Sequence, residues 1–334
     1  MRMTEEQIKH AEALCRAMPV TRMIDYGMSE AAAEWVHGTV RMGASWDSVL
    51  EELANRQEVV ALAQHDRAAA REAWHTAAVS FIFAQMAFNA DSDRKIRLYR
   101  QMNRCFARFA ELSAFHVSRV DLPYLRGRLF GWHFRAQAER APACIIVFGG
   151  MSGWSTAYRS MAEALCRRGL DCLLVDGPGQ GDSRLTGGIL ADDQVTSGFS
   201  RFFDWIEDAM PGCEVGLWGN SYGGLLAALT AARDRRVAAC CINGGPLLTQ
   251  LPPFRTAQEQ FAAMFGETDP EMLAKNLSSL AFDGQLSPIA CPTLVLEGGA
   301  DPLVPLGMQH GFLTGNSHPL SRVQTWPDGE HTIY

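Results

Sequence analysis

From residue 115 onward the sequence alternates short apolar runs with helix-patterned stretches, and several of the runs break off in a glycine-rich loop. Cys144–Phe148 ends in Gly149–Gly150, Cys172–Val175 in Asp176–Gly177–Pro178–Gly179, and Val215–Trp218 in Gly219–Asn220–Ser221. Val237–Ile242, Thr293–Leu296 and Arg322–Trp326 complete the series. Runs this short and this uniformly apolar are strands covered on both faces. The helical stretches between them supply crossovers, which predicts an α/β fold with a mainly parallel sheet. His116–Leu122 and Leu125–Phe134 read as two further strands, separated by Pro123, that enter the sheet antiparallel.

Before residue 115 the pattern is almost entirely helical, which predicts an all-helical domain over 1–114 ahead of an α/β domain over 115–334. Met28–Met42 places Ala32, Trp35, Val36 and Val40 at helical spacing, with Ser29 as N-cap. Ser45–Leu53 opens a second helix. Ala68–Ala90 aligns Trp74, Ala77, Phe81, Ala84 and Phe88 on one face, and Lys95–Leu112 repeats the period through Ile96, Tyr99, Met102, Phe106 and Phe109. Pro252–Leu286, between two late strands, is helical again. It is either a cap insertion or an ordinary crossover pair.

Composition narrows the partners. With 47% hydrophobic and 20% charged residues the 334-residue chain is globular. Its net charge of -7, with no basic stripe, argues against nucleic acid and anionic membrane. Nine cysteines are scattered without a C-x-x-C pair or a Cys/His cluster, so neither a disulfide framework nor a metal is expected. Met1–Ala17 is charged and amphipathic rather than signal-like, and no apolar run approaches the ~20 residues of a membrane helix. A cytoplasmic location is expected.

The chemistry is carried by Gly219–Asn220–Ser221–Tyr222–Gly223, followed by Gly224. The G-x-S-x-G pattern is weak alone, but here it follows a strand and opens the helical run Leu225–Arg233. That turn projects the serine oxygen at the C-terminal edge of the sheet, beside a helix N-terminus that favours developing negative charge. A serine needs a base, and the base an orienting acid, in the chain order Ser, acid, His. Asp301 and His331 each lie in a loop just past a strand, on the same edge. Glu297, Asp328 and Glu330 are rival acids. His310, in a helix after Pro305, and His318, ahead of the last strand, are rival bases. The oxyanion donors are expected to be the amides of Tyr222 and Met151, the latter in the loop Gly149–Gly150–Met151, whose glycines admit a substrate oxygen. Asp176–Gly177–Pro178–Gly179–Gln180–Gly181–Asp182 follows a strand as a dinucleotide fingerprint does, but it lacks the third glycine, and Ser183–Gly188 does not read as a helix start. No cofactor is expected, and Asp176 is read as binding turn amides.

These stretches, with Gly299–Ala300–Asp301, resemble the dihydroxypseudooxynicotine hydrolase and fermentation–respiration switch esterase group of the α/β-hydrolase superfamily. The resemblance implies an α/β-hydrolase core with a helical N-terminal domain covering the site. It implies hydrolysis of either a carbon–carbon bond in a diketone-like small molecule or a carboxylic ester, and a homodimer. In folds of this kind the chain ordinarily continues past the histidine loop into a final helix, whereas three residues follow His331 here. An acyltransferase or cyclase on the same three residues, or a non-catalytic regulatory protein on the same scaffold, are the competing readings. Gly150, Trp35, Trp74 and His75 are candidates for lining the substrate pocket, with Phe81 beside them.

Overall fold

The computed structural model describes residues 4–137, 141–151 and 153–333, and the chain divides into two compact units, Met1–Val117 and Ser118–Tyr334.

The first unit is helical: α1 Glu5–Ala17, α2 Val20–Asp25, α3 Glu30–Arg41, α4 Trp46–Ala63, α5 Arg67–Gln85 and α6 Asp93–Leu112. Thr4 caps α1 in a reciprocal box with Gln7, and Ser29, Asp66 and Ser92 accept first-turn amides of α3, α5 and α6. Each cap satisfies an N–H that helix geometry leaves without a partner. α4 runs to Ala63, well past Leu53. Its last turns escape a pattern-based reading because Val59 and Leu62 are exposed. α5 packs on both α4 and α6 and is buried all round from Ala77 to Gln85, as an interior helix should be. Arg94 on α6 ties back to Asp47 at 2.8 Å and Glu51 at 2.6 Å on α4, and the Trp46 indole donates to the Phe83 carbonyl at 2.9 Å.

The sheet comprises β1 His116–Tyr124, β2 Gly127–Arg135, β3 Ala143–Phe148, β4 Asp171–Asp176, β5 Glu214–Asn220, β6 Val237–Asn243, β7 Thr293–Gly298 and β8 Arg322–Trp326. Its order is β1-β2-β4-β3-β5-β6-β7-β8. β2 runs antiparallel to β4, and from β4 to β8 every pairing is parallel. Pro123 lies inside β1 rather than between two strands. It is tolerated there because β1 is an edge strand, and the chain reverses after it, where Leu125 has φ 50°.

The crossovers carry α7 Arg159–Arg167, α8 Gly181–Leu185, α9 Val195–Ala209, α10 Tyr222–Arg233, α11 Arg255–Phe265 and α12 Pro270–Ser279. The short α8, Gly181–Leu185, runs into Ser183–Gly188, a stretch that does not read as a helix start, because it begins two residues earlier, inside the glycine motif. The 252–286 segment becomes α11 and α12, a connection between β6 and β7, which are neighbours in the sheet. The core gathers inward residues of the sheet, among them Ile146, Phe148, Leu173, Leu217 and Ile242, with Phe199, Phe202 and Phe203 of α9 and Leu225, Leu226 and Leu229 of α10. Parallel strands align their C-terminal ends, so the loops after β3, β4, β5, β7 and β8 share one edge. The chain also switches direction across the sheet there, passing from β3 to β4 on one side and returning to β5 on the other, the place where such sheets open a crevice. No helix among the described residues is long and apolar enough to cross a membrane.

Candidate active site

Ser221 stands between the end of β5 and the start of α10 at φ 58° and ψ -132°, a backbone conformation that a non-glycine residue holds only when its surroundings impose it. The imposition is visible. A Cβ on Gly219 would lie 2.1 Å from the Gly223 carbonyl oxygen, and one on Gly223 would lie 2.4 Å from that of Gly149. Neither position could carry a side chain with this turn intact. The Ser221 amide donates to the Asn243 carbonyl at 2.7 Å, which pins the elbow to β6.

Two loops bring their side chains to that serine. His331 Nε2 lies 2.7 Å from Ser221 Oγ, and His331 Nδ1 lies 2.8 Å from Asp301 Oδ2. An ionised carboxylate only accepts, so Nδ1 carries a proton toward Asp301 and Nε2 is free to accept from the serine hydroxyl. The other Asp301 oxygen accepts from the amides of Leu303 at 2.8 Å and Val304 at 3.0 Å. Burial alone would raise the Asp301 carboxyl. The hydrogen bond from His331, its attraction and the two amides outweigh that, and the group is held below its ordinary value. The arrangement can take a proton from a nucleophile and return it to a leaving group.

The rival residues are engaged elsewhere. Glu297 is buried and accepts from Thr325 Oγ1 at 2.8 Å, Gly307 N at 3.1 Å and His310 Nε2 at 3.2 Å. His318 accepts from the Leu320 amide through Nδ1 at 3.3 Å, while Asp328 and Glu330 are exposed.

The loop after β3 closes on the serine. A Cβ on Gly150 would come within 2.9 Å of Ser221 Cβ and of the Tyr222 amide nitrogen, and within 3.1 Å of Ser221 Oγ. Only glycine keeps that approach open. Asp176 accepts from the Ser155 and Asp182 amides at 2.8 and 2.9 Å, which joins this loop to the one after β4. From α11, Phe261 meets the Tyr222 ring edge-on at 5.3 Å.

Two polar devices escaped the sequence reading. Asn220 and Asn243 face each other across β5 and β6, with Asn243 Nδ2 donating to Asn220 Oδ1 at 3.0 Å and Asn220 Nδ2 to the Phe148 carbonyl at 3.2 Å. Gln180 reaches from the loop after β4 to the carbonyls of Gly149 and Gly150. The available signal was only that these amides end strands or sit inside a glycine motif.

Three of the pocket candidates belong to the helical unit. Trp35 is 39% exposed, with the Arg56 guanidinium over its ring. Trp74 and His75 are buried, and the His75 ring lies 5.3 Å from that of Phe109 and against Gly27. Phe81 is buried as well.

Residues 139–285, which include Ser221, match the family described as serine aminopeptidase, S33. The 2,6-dihydropseudooxynicotine hydrolase of Paenarthrobacter nicotinovorans is 26% identical over 302 residues, spanning 86% of this chain and 78% of its own length. The crystal structure of 2,6-dihydroxy-pseudo-oxynicotine hydrolase superposes with a TM-score of 0.82 at 22% identity, covering 93% of this chain and 90% of that one. The chain has the α/β-hydrolase fold. A further α/β hydrolase, from an Acremonium species, is 28% identical over 234 residues, which are 63% of this chain and 46% of that protein. Within this fold, the serine elbow, the acid loop after β7 and the histidine loop after β8 occupy one edge of the sheet.

Proposed function

We propose that this chain is an α/β hydrolase of the serine type acting on a small carbonyl compound, cleaving either a carbon–carbon bond of a diketone-like substrate or a carboxylic ester. The observation that carries the reading is the continuous line from Ser221 Oγ through His331 to Asp301, with contacts of 2.7 and 2.8 Å.

In this reading Ser221 Oγ attacks the carbonyl carbon while His331 Nε2 takes its proton. The oxyanion that forms is met by the amides of Tyr222 and Met151, at the N-terminus of α10 and beside Gly150. Collapse breaks the bond to the leaving group, which receives the proton from His331. In a diketone the leaving carbon departs as an enolate, stabilised by its neighbouring carbonyl, and in an ester an alkoxide departs. Water then attacks the acyl-enzyme, passing a proton to His331, and the carboxylic acid leaves as Ser221 recovers its hydrogen. The relatives support a hydrolase acting on a small molecule, and one of them bears the name of a pseudooxynicotine hydrolase.

The test pairs labelling with turnover. A fluorophosphonate should modify Ser221 in the folded protein, as peptide mapping would show. Ser221→Ala should lower turnover by about 10⁶-fold if the three residues act as a unit. Rates on a matched diketone and ester decide between the two leaving groups. Labelling at another serine, or none, would refute the reading and favour a non-catalytic protein on this scaffold.

A further inference from the structure

The Gln180 side chain is buried and every polar atom it has is used. Its Oε1 accepts from the Gly177 amide at 3.0 Å. Its Nε2 donates to the Gly149 carbonyl at 2.5 Å and to the Gly150 carbonyl at 2.9 Å. The amide cannot be turned over, because that would set its oxygen against two carbonyl oxygens and its NH₂ against an N–H. The loop that carries it is itself cross-linked. Asp176 holds the Ser155 and Asp182 amides, Gly179 N donates to Ile189 O at 2.9 Å, Arg184 Nη1 donates to Gly179 O at 3.0 Å, and Asp182 pairs with Arg119. Gln180 therefore projects from a rigid base onto the loop beside the serine.

The consequence follows from peptide geometry. The peptide joining Gly150 to Met151 is trans, so its C=O and N–H point in opposite directions. Holding the Gly150 carbonyl toward Gln180, with the Gly153 amide also donating to it at 3.0 Å, turns the Met151 N–H away from Gln180. Gly150 itself abuts Ser221 and the Tyr222 amide nitrogen. We infer that Gln180 is a positioning residue that sets the orientation of the Gly150–Met151 peptide, and through it the second donor to the oxyanion. This rests on the serine-hydrolase reading above. Gln180 touches no reacting atom and acts through a backbone plane. The energy of an oxyanion hole depends on donors fixed before the charge appears, which is what a satisfied buried amide provides.

The experiment compares the wild-type enzyme with Gln180→Met, which keeps the length and loses both donors, and with Gln180→Glu, which sets a carboxylate against both carbonyls. Two inhibitors are used: an aryl trifluoromethyl ketone, which Ser221 converts to a tetrahedral oxyanion, and the corresponding methyl ketone, which binds as the planar carbonyl. Gln180→Met should weaken the trifluoromethyl ketone and lower kcat on p-nitrophenyl butyrate by about 100-fold each, the range seen when an oxyanion donor is lost or displaced. KM and methyl ketone binding should be unchanged. Equal weakening of both ketones would mean a merely structural role, and wild-type kcat in Gln180→Met would overturn the inference outright. Should neither variant fold, the structure of the wild-type fluorophosphonate adduct decides. A phosphoryl oxygen within hydrogen-bond reach of Met151 N upholds the inference, and one that lies away from it refutes it. A wild-type enzyme that the fluorophosphonate leaves unmodified refutes the serine reading and this inference together. Labelled wild type with unimpaired Gln180→Met refutes this inference alone.

Discussion

Asn243 donates its side-chain amide to the backbone carbonyl of Thr332, 3.1 Å away and one residue past His331. Thr332 and Ile333 both have positive φ, 59° and 61°, a conformation that β-branched residues resist. The histidine loop is thus held against a local preference, and Asn243 is one of its ties. The same amide nitrogen reaches Asn220, which in turn reaches Phe148. A single line of buried amides thereby joins the strand before the Gly150 loop, the strand before Ser221 and the loop of His331.

Asn243→Ala should remove that tie and leave the Thr332 carbonyl and the Asn220 oxygen without their donor. A buried group losing its partner costs about 1–3 kcal/mol, so the midpoint of thermal unfolding should fall. Because the loop that relaxes carries His331, kcat should also fall, by about tenfold, an order taken from the effect of displacing a catalytic group by a fraction of an ångström. Steady-state kinetics beside thermal unfolding check this. A variant that loses stability but keeps its kcat would show that the tie does not position the histidine.

Such a tie could not be read in advance. Ser221 was legible because its glycines surround it in the sequence and an apolar run precedes it. Asp301 and His331 were legible because each follows a strand. Asn243 matters only because the β5–β6 register sets it opposite Asn220, and register between parallel strands is decided by packing rather than by any local signal. Gln180 was hidden for a different reason: its motif has the composition of a turn, and its side chain leaves that turn to act on another loop. The end of α4 was missed where Val59 and Leu62 depart from an inward apolar stripe, and the end of β1 where Pro123 mimics a break that an edge strand absorbs.

Near neutrality Asp301 should add no pH dependence to folding. The Asp301 carboxyl is depressed in the folded state. Its contribution to stability is therefore complete above the ordinary carboxylate value of about 3.9 and is lost only as pH falls through its lower, folded value. Between about pH 5 and 8 Asp301 stays ionised and adds no pH dependence to folding, so this group should leave the unfolding midpoint level across that range. Thermal unfolding of the wild type beside Asp301→Asn checks this, and a midpoint that drops between about pH 8 and 5 in the wild type alone would count against a depressed Asp301.

Asp301→Asn should abolish most of the activity without a large change in shape. The amide can present its NH₂ to His331 Nδ1, which favours the tautomer carrying its proton on Nε2, the wrong nitrogen for accepting from Ser221. In Ser-His-Asp enzymes that change costs about 10⁴-fold in kcat. Turnover and fluorophosphonate labelling should fall together. Loss of turnover with labelling undiminished would place the aspartate's role after the attack step.

Gly150→Ala tests the space beside the nucleophile. The added methyl would lie 2.9 Å from both Ser221 Cβ and the Tyr222 nitrogen, closer than any such contact tolerates, so it must displace the elbow or the loop. A fall in kcat/KM of about 100-fold or more is expected, the scale for losing alignment with an oxyanion donor. Gly38→Ala is the control, since a methyl there meets nothing within 4 Å and activity should hold. Full activity in Gly150→Ala would mean that the oxyanion is bound elsewhere.

The helical unit is expected to take part in choosing the substrate. The motivation is its size, its aromatic side chains, including Trp35, Trp74 and Phe81, and its place ahead of a sheet that already carries the serine, acid and histidine loops. A unit that takes part in that choice should respond to what is bound at Ser221. Hydrogen–deuterium exchange of the full chain, before and after modification by a bulky aryl fluorophosphonate, reads that response directly. Slower exchange in peptides from residues 4–117 on modification is the expected result, because a bound group that the unit senses suppresses its local openings. Peptides around Gly150 and Tyr222 should slow in any case and serve as the internal reference. If only those slow, the helical unit is a docking or dimerisation module remote from the chemistry, and substrate choice passes to α11 and α12, whose Phe261 already stands against Tyr222.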